Sequence, residues 1–354
     1  MNTKFRKYYY EHQENTLHTV KYLLAFLIGY FVMQLLPDGK SQWVIITIAV
    51  LMGSQTIIGL QVNRALLRLL GTLVGAALGL ITISLPHQPI IIVSSIIIAA
   101  LFFSILTYGN SDLSYISTLG MTTFAITALN IQPSYSLAAY RIIDIIIGIL
   151  ISLFVSRLIF PLNSRRAFII STVGNFSNVN KYIEQVFIIG AEKRNQPELV
   201  KLDAKISNTF SKQRQILKGI TYESFRKNLI KEKLYLILRY QRAIYHYLLF
   251  IDTAMNDGKR SKPIVIASLA PYIKEYMTEL KSIFEIFEIE QPTAETEKII
   301  EKLQSTQETT SKALASFTLS DDKIQQSSVV AFTMRRITLC CEKILTTWND
   351  IIKS

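Results

Sequence analysis

The chain has 354 residues, a net charge of +12 and a positive mean hydropathy of +0.30. Soluble domains usually have negative values on that scale, so part of the chain is expected to lie in lipid. The only cysteines, Cys340 and Cys341, are neighbours that rarely bridge, which excludes a disulfide-rich secreted scaffold.

Charge divides the chain near Pro161. Residues 1–162 carry 9 basic and 5 acidic side chains, whereas residues 163–354 carry 29 and 21. Ten of the 14 glycines also lie in the first stretch, and glycine is commoner in membrane helices than in soluble ones. We therefore predict a cytoplasmic segment at 1–16, a six-helix transmembrane domain at 17–161 and a cytoplasmic helical domain at 162–354.

Six apolar segments in the first stretch approach the length of about 20 residues that crosses a hydrocarbon core of about 30 Å. Short turn sequences separate them, which predicts one compact antiparallel bundle. The predicted segments are Val20–Leu36, Trp43–Leu60, Leu66–Leu85, Ile90–Leu106, Tyr115–Asn130 and Ala138–Phe160.

The distribution of lysine and arginine predicts the orientation, since these residues concentrate in short cytoplasmic loops. With the N-terminus inside, the outer side has only Lys40 and Arg141. The inner set is Lys4, Arg6, Lys7, Arg64, Arg68, Arg157, Arg165 and Arg166. We predict a multi-pass protein of the bacterial inner membrane with both termini in the cytoplasm.

The second stretch is predicted to form five or six helices, so the whole fold is expected to be all-α. Apolar residues recur there at spacings of three and four, and nothing alternates like a strand. The segment Leu234–Ile251 is apolar enough to suggest a further crossing, but Arg239 and Arg242 interrupt it. A mid-membrane arginine costs at least about 2.5 kcal/mol, so we interpret this segment as a soluble core helix.

The third segment has a basic and glycine-rich face. At about 100° per residue, Arg64, Arg68, Gly71, Gly75 and Gly79 fall on one stripe. Glycine at every fourth position allows another helix to approach closely, so these glycines are predicted to pack helices. Arg64 could instead reach cytoplasmic headgroups, and Arg68 is the better candidate for a substrate path.

The sixth segment repeats this arrangement with Arg141, Asp144, Gly148, Ser152 and Ser156 on one stripe. An aspartate inside a membrane helix must face a partner or water, and an arginine one turn away could neutralise it. The pair could therefore be a structural ion pair or part of a substrate path. Gly148 is predicted to pack helices.

Neutral polar residues extend the pattern to the second and fifth segments. Four polar stripes suggest a hydrated interior or a polar interface, and the predominance of arginine at its ends favours an anion. The predicted path residues are Arg64, Arg68, Arg141, Asp144, Thr123, Thr127, Asn130, Ser54 and Gln55.

The sequence lacks the motifs of several enzyme activities. The sequence Asp38-Gly39-Lys40-Ser41 ends like a phosphate-binding loop, but the first glycine of that loop is replaced by Gln34. The four histidines are scattered, and neither a hydrolase nor a dinucleotide fingerprint is present. We expect no enzymatic activity, cofactor or metal, and transport driven by a gradient or by a partner not encoded here.

Three motifs resemble the fusaric acid resistance and aromatic acid exporter superfamily, which is similar in turn to the plant aluminium-activated malate transporters. They are Trp43–Thr47, Arg64–Gly75 and Arg141–Gly148, and the resemblance covers about Thr19 to Pro161. It implies a six-helix module, followed by a cytoplasmic helical domain, that exports aromatic or other organic acids. Because larger members hold two modules and this chain one, it also implies a homodimer or higher oligomer.

The resulting hypothesis is an inner-membrane exporter of small organic, chiefly aromatic, carboxylic acids. Arg68 and Arg141 would attract the carboxylate at opposite ends of the path, Asp144 would tune Arg141 or exchange a proton, and the threonines would accommodate the organic body. The alternatives are a passive anion channel and a membrane-anchored scaffold whose basic cytoplasmic domain meets anionic lipid or an acidic protein. Nucleic acid is not an expected partner, and a periplasmic accessory protein is left open.

Overall fold

A computed structural model describes residues 3–35, 42–86, 88–129, 135–159, 161–188, 196–223, 228–255, 264–288, 294–316 and 321–352. All regular elements within these ranges are helices, which confirms the all-α prediction for this part of the chain. The chain divides into two compact units, Met1–Ser164 and Arg165–Ser354.

The first unit contains six helices in its described residues. Local signals fix some of their ends: α4 starts on a proline, and Asn110 caps α5 by accepting hydrogen bonds from the backbone of Asp112 (3.1 Å) and Leu113 (3.0 Å). The helices are α1 (Thr3–Leu35), α2 (Gln42–Ser54), α3 (Ile58–Ser84), α4 (Pro89–Thr107), α5 (Ser111–Ala128) and α6 (Tyr135–Leu158).

Four of these helices, rather than the predicted six, are long and apolar enough to cross a membrane within the described residues. They are Thr16–Leu35, Ile58–Ser84, Pro89–Thr107 and Ala138–Leu158. Helix α2 has 13 residues, about 20 Å at 1.5 Å per residue, and α5 is rich in serine and threonine. These two helices therefore do not meet the requirements of a spanning helix by themselves.

The boundary between α2 and α3 differs from the prediction. The apolar pattern suggested one helix to Leu60 and the next from Leu66, but the helix ends at Ser54 and α3 starts at Ile58. Gly53 and Ser54 weaken the helix at this point, and the backbone N–H of Ile58 donates to the carbonyl of Leu162 (3.2 Å). As a result Arg68 lies ten residues inside α3, about 15 Å from its start.

Two apolar clusters hold the first unit together. Ala25, Val44, Ile48, Met52 and Val155 join α1, α2 and α6, while a second cluster around Phe103 joins α4 to α5. The outer side of α4 is apolar and exposed, as at Ile98 (65% exposed), which suits contact with lipid. Ser94 on this side satisfies its hydroxyl within the helix by donating to the Ile90 carbonyl (2.7 Å).

The second unit consists of six helices in its described residues. Helices α9 and α12 pack antiparallel, since Lys233 near the start of one lies 3.5 Å from Asp350 near the end of the other. The segment 234–251 belongs to α9, which is a core helix as predicted, with Leu234, Ile237 and Leu248 fully buried. The helices are α7 (Ser164–Ile183, continued by a π-helical turn Glu184–Ile188), α8 (Gln196–Glu223), α9 (Asn228–Met255), α10 (Ile264–Glu288), α11 (Ala294–Ser316) and α12 (Asp321–Ile352).

A buried hydrogen-bond network joins α7, α8 and α9. Gln213 Nε2 donates to Thr172 Oγ1 (3.0 Å) and Gln241 Oε1 (3.1 Å), and Gln241 Nε2 donates to the Thr172 carbonyl (3.2 Å). We predict that Gln213→Leu lowers the free energy of unfolding by about 1–3 kcal/mol, because it leaves buried polar groups unpaired. The exposed Gln215→Leu is the control and should be near neutral. Denaturant titration of Trp348 fluorescence in a Trp43→Phe background measures the difference.

The two thiols of α12 are free and buried. Burial raises the pKa of both thiols, most of all that of Cys341. Because the thiolate is the reactive form, we expect neither cysteine to react with iodoacetamide in the folded protein at neutral pH. Mass spectrometry before and after denaturation checks this, and rapid alkylation of the native protein would contradict it.

Candidate functional site

Close backbone contact between α3 and α5 forms one wall of the candidate site. A Cβ added to Gly75 would lie 2.1 Å from the carbonyl oxygen of Gly120, and one added to Gly79 would lie 2.8 Å from Cβ of Thr127. A Cβ on Gly71 would meet the carbonyl of Ile116 at 2.8 Å. The glycine stripe of α3 therefore faces α5, and only glycine fits there.

Helices α2 and α6 make a second close contact. A Cβ added to Gly148 would lie 2.7 Å from Cβ of Thr47 and 2.7 Å from the carbonyl oxygen of Val44. Ser152 is fully buried and donates its hydroxyl to the Gly148 carbonyl one turn earlier (2.8 Å). This contact sets α6 against α2, so that Arg141 of α6 lies beside the start of α2.

Arg141 is buried over the face of an aromatic ring. Its guanidinium carbon lies 3.8 Å from the ring centroid of Trp43, and 5% of the residue is exposed. Such cation–π contacts contribute about 0.5–2 kcal/mol. Its Nε and Nη1 have no hydrogen-bond partner among the described residues. Arg141 therefore retains strong, unused hydrogen-bond donors inside the unit.

Arg68 is equally enclosed, with 3% exposed and no partner for its Nε in the described part of the chain. It lies close enough to Arg141 for the two positive charges to repel each other. The hypothesis placed these arginines at opposite ends of a path, and in the structure each lies within the electrostatic range of the other. Tyr115 lies near Arg68 and also beneath Arg64, whose guanidinium carbon is 4.5 Å from its ring centroid.

Asp144 and the predicted polar residues of α5 differ in their hydrogen bonding. Asp144 is buried, with 6% exposed, and makes interactions of its own. Thr123 donates to its own helix at the Leu119 carbonyl (2.8 Å), whereas the Thr127 hydroxyl has no partner in the described ranges. Asn130 lies outside the described residues.

Ser54 and Gln55, the path residues predicted for the second segment, are not enclosed like the two arginines. Ser54 is exposed, and its hydroxyl makes only a long hydrogen bond to the Leu51 carbonyl (3.4 Å). Gln55 lies in the break between α2 and α3, where its backbone carbonyl accepts a hydrogen bond from Gln61 Nε2 (2.6 Å). Gln55 therefore contributes to the break through its backbone carbonyl.

Three further polar residues of this unit are buried but were not predicted as path residues: Thr47, Gln61 and Lys21. Lys21 lies at the start of the first predicted apolar segment, Val20–Leu36, and is 6% exposed. Gln61 fell between two predicted helices, yet it shares one face of α3 with Arg68 and Thr72 and is 1% exposed. Its spacing of seven residues from Arg68 was the available signal.

Charge is unbalanced in the interior of the unit. Among its described residues the buried charged side chains are Lys21, Arg68, Arg141 and Asp144, three cations and one anion. Charged side chains inside a membrane protein are costly and mark ion or substrate pathways unless they are compensated. With the unpartnered guanidinium nitrogens, this imbalance gives the site the chemistry of an anion receptor.

The second unit has a groove of a different kind. Lys201, Lys205 and Lys212 line a shallow depression on α8 together with Asn208 and Thr209. All the lining residues come from one helix and most are exposed, so the groove is a solvated basic surface.

Residues 26–155 match the model of a family described as fusaric acid resistance protein-like. This match confirms the resemblance seen in the sequence and spans α2 to α5 with most of the apolar part of α1 and α6, including both buried arginines. No curated protein matches the chain. The match to a transporter family and the four apolar helices of the first unit together point to a membrane protein.

Proposed function

We propose that the protein exports small organic acids, aromatic carboxylic acids foremost, and that Arg68 and Arg141 bind the carboxylate. One observation carries the proposal: two buried guanidinium groups repel each other and keep unpartnered donors inside a unit that matches a transporter family. A carboxylate between them would relieve the repulsion and accept charge-assisted hydrogen bonds.

The aromatic preference rests on Trp43. Arg141 covers the face of its ring, so an aromatic acid bound to Arg141 would lie next to an aromatic side chain. Aromatic pairs contribute about 0.5–1.5 kcal/mol beyond the apolar area they bury. An aliphatic acid of the same charge would lack this contribution and bind more weakly.

The same proposal includes the driving force, the membrane orientation and the oligomeric state. Asp144 lies one turn from Arg141 in the same helix and is buried, which supports a role in proton exchange. The arginine and lysine distribution supports an inner-membrane protein with both termini in the cytoplasm. The family match covers one region, residues 26–155, whereas larger members hold two such modules, which supports a homo-oligomer.

Binding is tested through Trp43 itself. In a Trp348→Phe variant Trp43 is the only tryptophan of the chain. We expect benzoate to change its fluorescence saturably, whereas benzamide, which has a similar shape and no charge, should leave it unchanged. Equal responses to the two compounds, or no response from folded protein, would refute a carboxylate site at Arg141.

A further inference from the structure

Unpartnered polar atoms continue beyond the two arginines along α2, α3 and α6. Thr47 Oγ1, Gln61 Oε1 and Ser156 Oγ have no hydrogen-bond partner within the described residues, and these side chains are 0%, 1% and 2% exposed. Buried polar atoms in proteins are nearly always paired with protein or water. Five such side chains on three mutually packed helices therefore offer hydrogen bonds to water or to an anion.

The helix contacts place these side chains in an ordered column. Helices α2 and α6 run parallel, because Thr47 contacts Gly148 and Met52 clusters with Val155. Arg141 precedes Gly148 by seven residues and Ser156 follows it by eight. The column therefore extends about 22 Å along α6, a large share of a hydrocarbon core of about 30 Å.

Gln61 lies at the end of this column, where α2 and α3 are separated by a break. Its Nε2 donates to the Gln55 carbonyl (2.6 Å) and so ties α3 to the non-helical residues of the break, while its Oε1 is unpartnered. Ser156 is at the same level, since it lies eight residues past Gly148 as the break lies eight past Thr47. Broken helices in transporters place backbone and side-chain groups beside the substrate path.

We propose that this column is a water-filled path through a single chain and that Gln61 closes it at the α2–α3 break. The path rests on the proposed function and assigns it a route: the anion enters from the cytoplasmic end at Gln61, passes Ser156 and reaches the arginines. At Gln61 the carboxylate of the anion accepts the Nε2 hydrogen bond in place of the Gln55 carbonyl. The loss of that bond to Gln55 frees the break to open. Asp144 and Lys21 remain in their own contacts during this exchange.

Cysteine accessibility tests the path without requiring transport. In a Cys340→Ser, Cys341→Ser background, Thr47→Cys and Ser156→Cys should react with a charged, membrane-impermeant methanethiosulfonate at least about tenfold faster than the lipid-facing control Ile98→Cys. The reason is that the reactive thiolate forms only in water. Benzoate should slow both reactions. Rates no faster than that of Ile98→Cys in folded protein would overturn the path.

Substitution of Gln61 tests the closure. Gln61→Ala should raise the labelling rate of Ser156→Cys and the flux of benzoate, because the side-chain hydrogen bond from Gln61 to the Gln55 carbonyl is then lost. A residue with only a structural role would lower thermal stability without raising either rate, and that result would overturn the closure. Gln61→Asn, which keeps the amide at a shorter reach, should lie between Gln61→Ala and the wild type.

The outcomes separate the two proposals. A labelled column in a protein that moves no organic acid would refute the proposed function and support the path. Benzoate transport with an unlabelled column would support the proposed function and overturn the path.

Discussion

Replacing Gly75 by alanine should disrupt the packing of α3 against α5. The new Cβ would lie 2.1 Å from the carbonyl oxygen of Gly120 and 2.9 Å from its carbonyl carbon, and both are backbone atoms. Helix α5 has no room to retreat at this point, because a Cβ on Gly120 would already meet Phe103 at 2.2 Å. We expect a loss of more than about 3 kcal/mol, above the usual cost of overpacking.

Gly53→Ala is the matched control for this prediction. No atom lies within 4 Å of a Cβ added to Gly53, so alanine should be neutral or should stabilise the helix by up to about 1 kcal/mol. The thermal midpoint and the monodisperse fraction of detergent-solubilised protein measure both variants. A Gly75→Ala protein as stable as the wild type would show that the two helices are not in backbone contact.

Replacing Arg141 by glutamine should lower the export of benzoate about 10- to 100-fold. This range corresponds to losing a charge-assisted hydrogen bond of about 1.5–3 kcal/mol, at 1.4 kcal/mol for each factor of ten. Arg141→Lys keeps the charge but loses the planar stacking over Trp43, so we expect an intermediate rate.

Arg157→Gln controls for the removal of an arginine from the same helix, since Arg157 is exposed in the last turn of α6. Initial efflux rates from cells, normalised to the amount of each protein in the membrane, give the comparison. Wild-type export by Arg141→Gln would show that the buried guanidinium takes no part in transport.

Helical periodicity explains how much of the site could be predicted from sequence. A rotation of about 100° per residue places Arg68 on the same stripe as Gly71 and Gly75, whatever the helix packs against. It could not tell that the glycines face α5 while the long Arg68 side chain comes near Arg141 of α6. That arrangement depends on which helices are neighbours, and a single sequence holds no direct signal of it.

The break between α2 and α3 could not be predicted from hydropathy. Apolar residues continue from Trp43 to Leu60, so hydropathy alone predicts one helix where the structure has an end, a connection and a new start. Two hydrogen bonds from outside the segment stabilise the break. The backbone N–H of Ile58 donates to the Leu162 carbonyl, and Gln61 Nε2 donates to the Gln55 carbonyl. Because these contacts form only in the folded unit, the hydrogen bond of Gln61 at the break could not be predicted, although its spacing from Arg68 places it on the same face of α3.

Organic-acid transport by this protein is tested most directly by benzoate flux in liposomes that contain the purified protein. We predict saturable flux that rises with an imposed pH gradient, is lost in Arg68→Gln and is retained in Arg157→Gln. Flux that follows membrane voltage and ignores the pH gradient would instead identify a passive anion channel. Absence of flux for benzoate and other organic acids, from protein shown to be folded in the liposomes, would show that the protein does not transport organic acids.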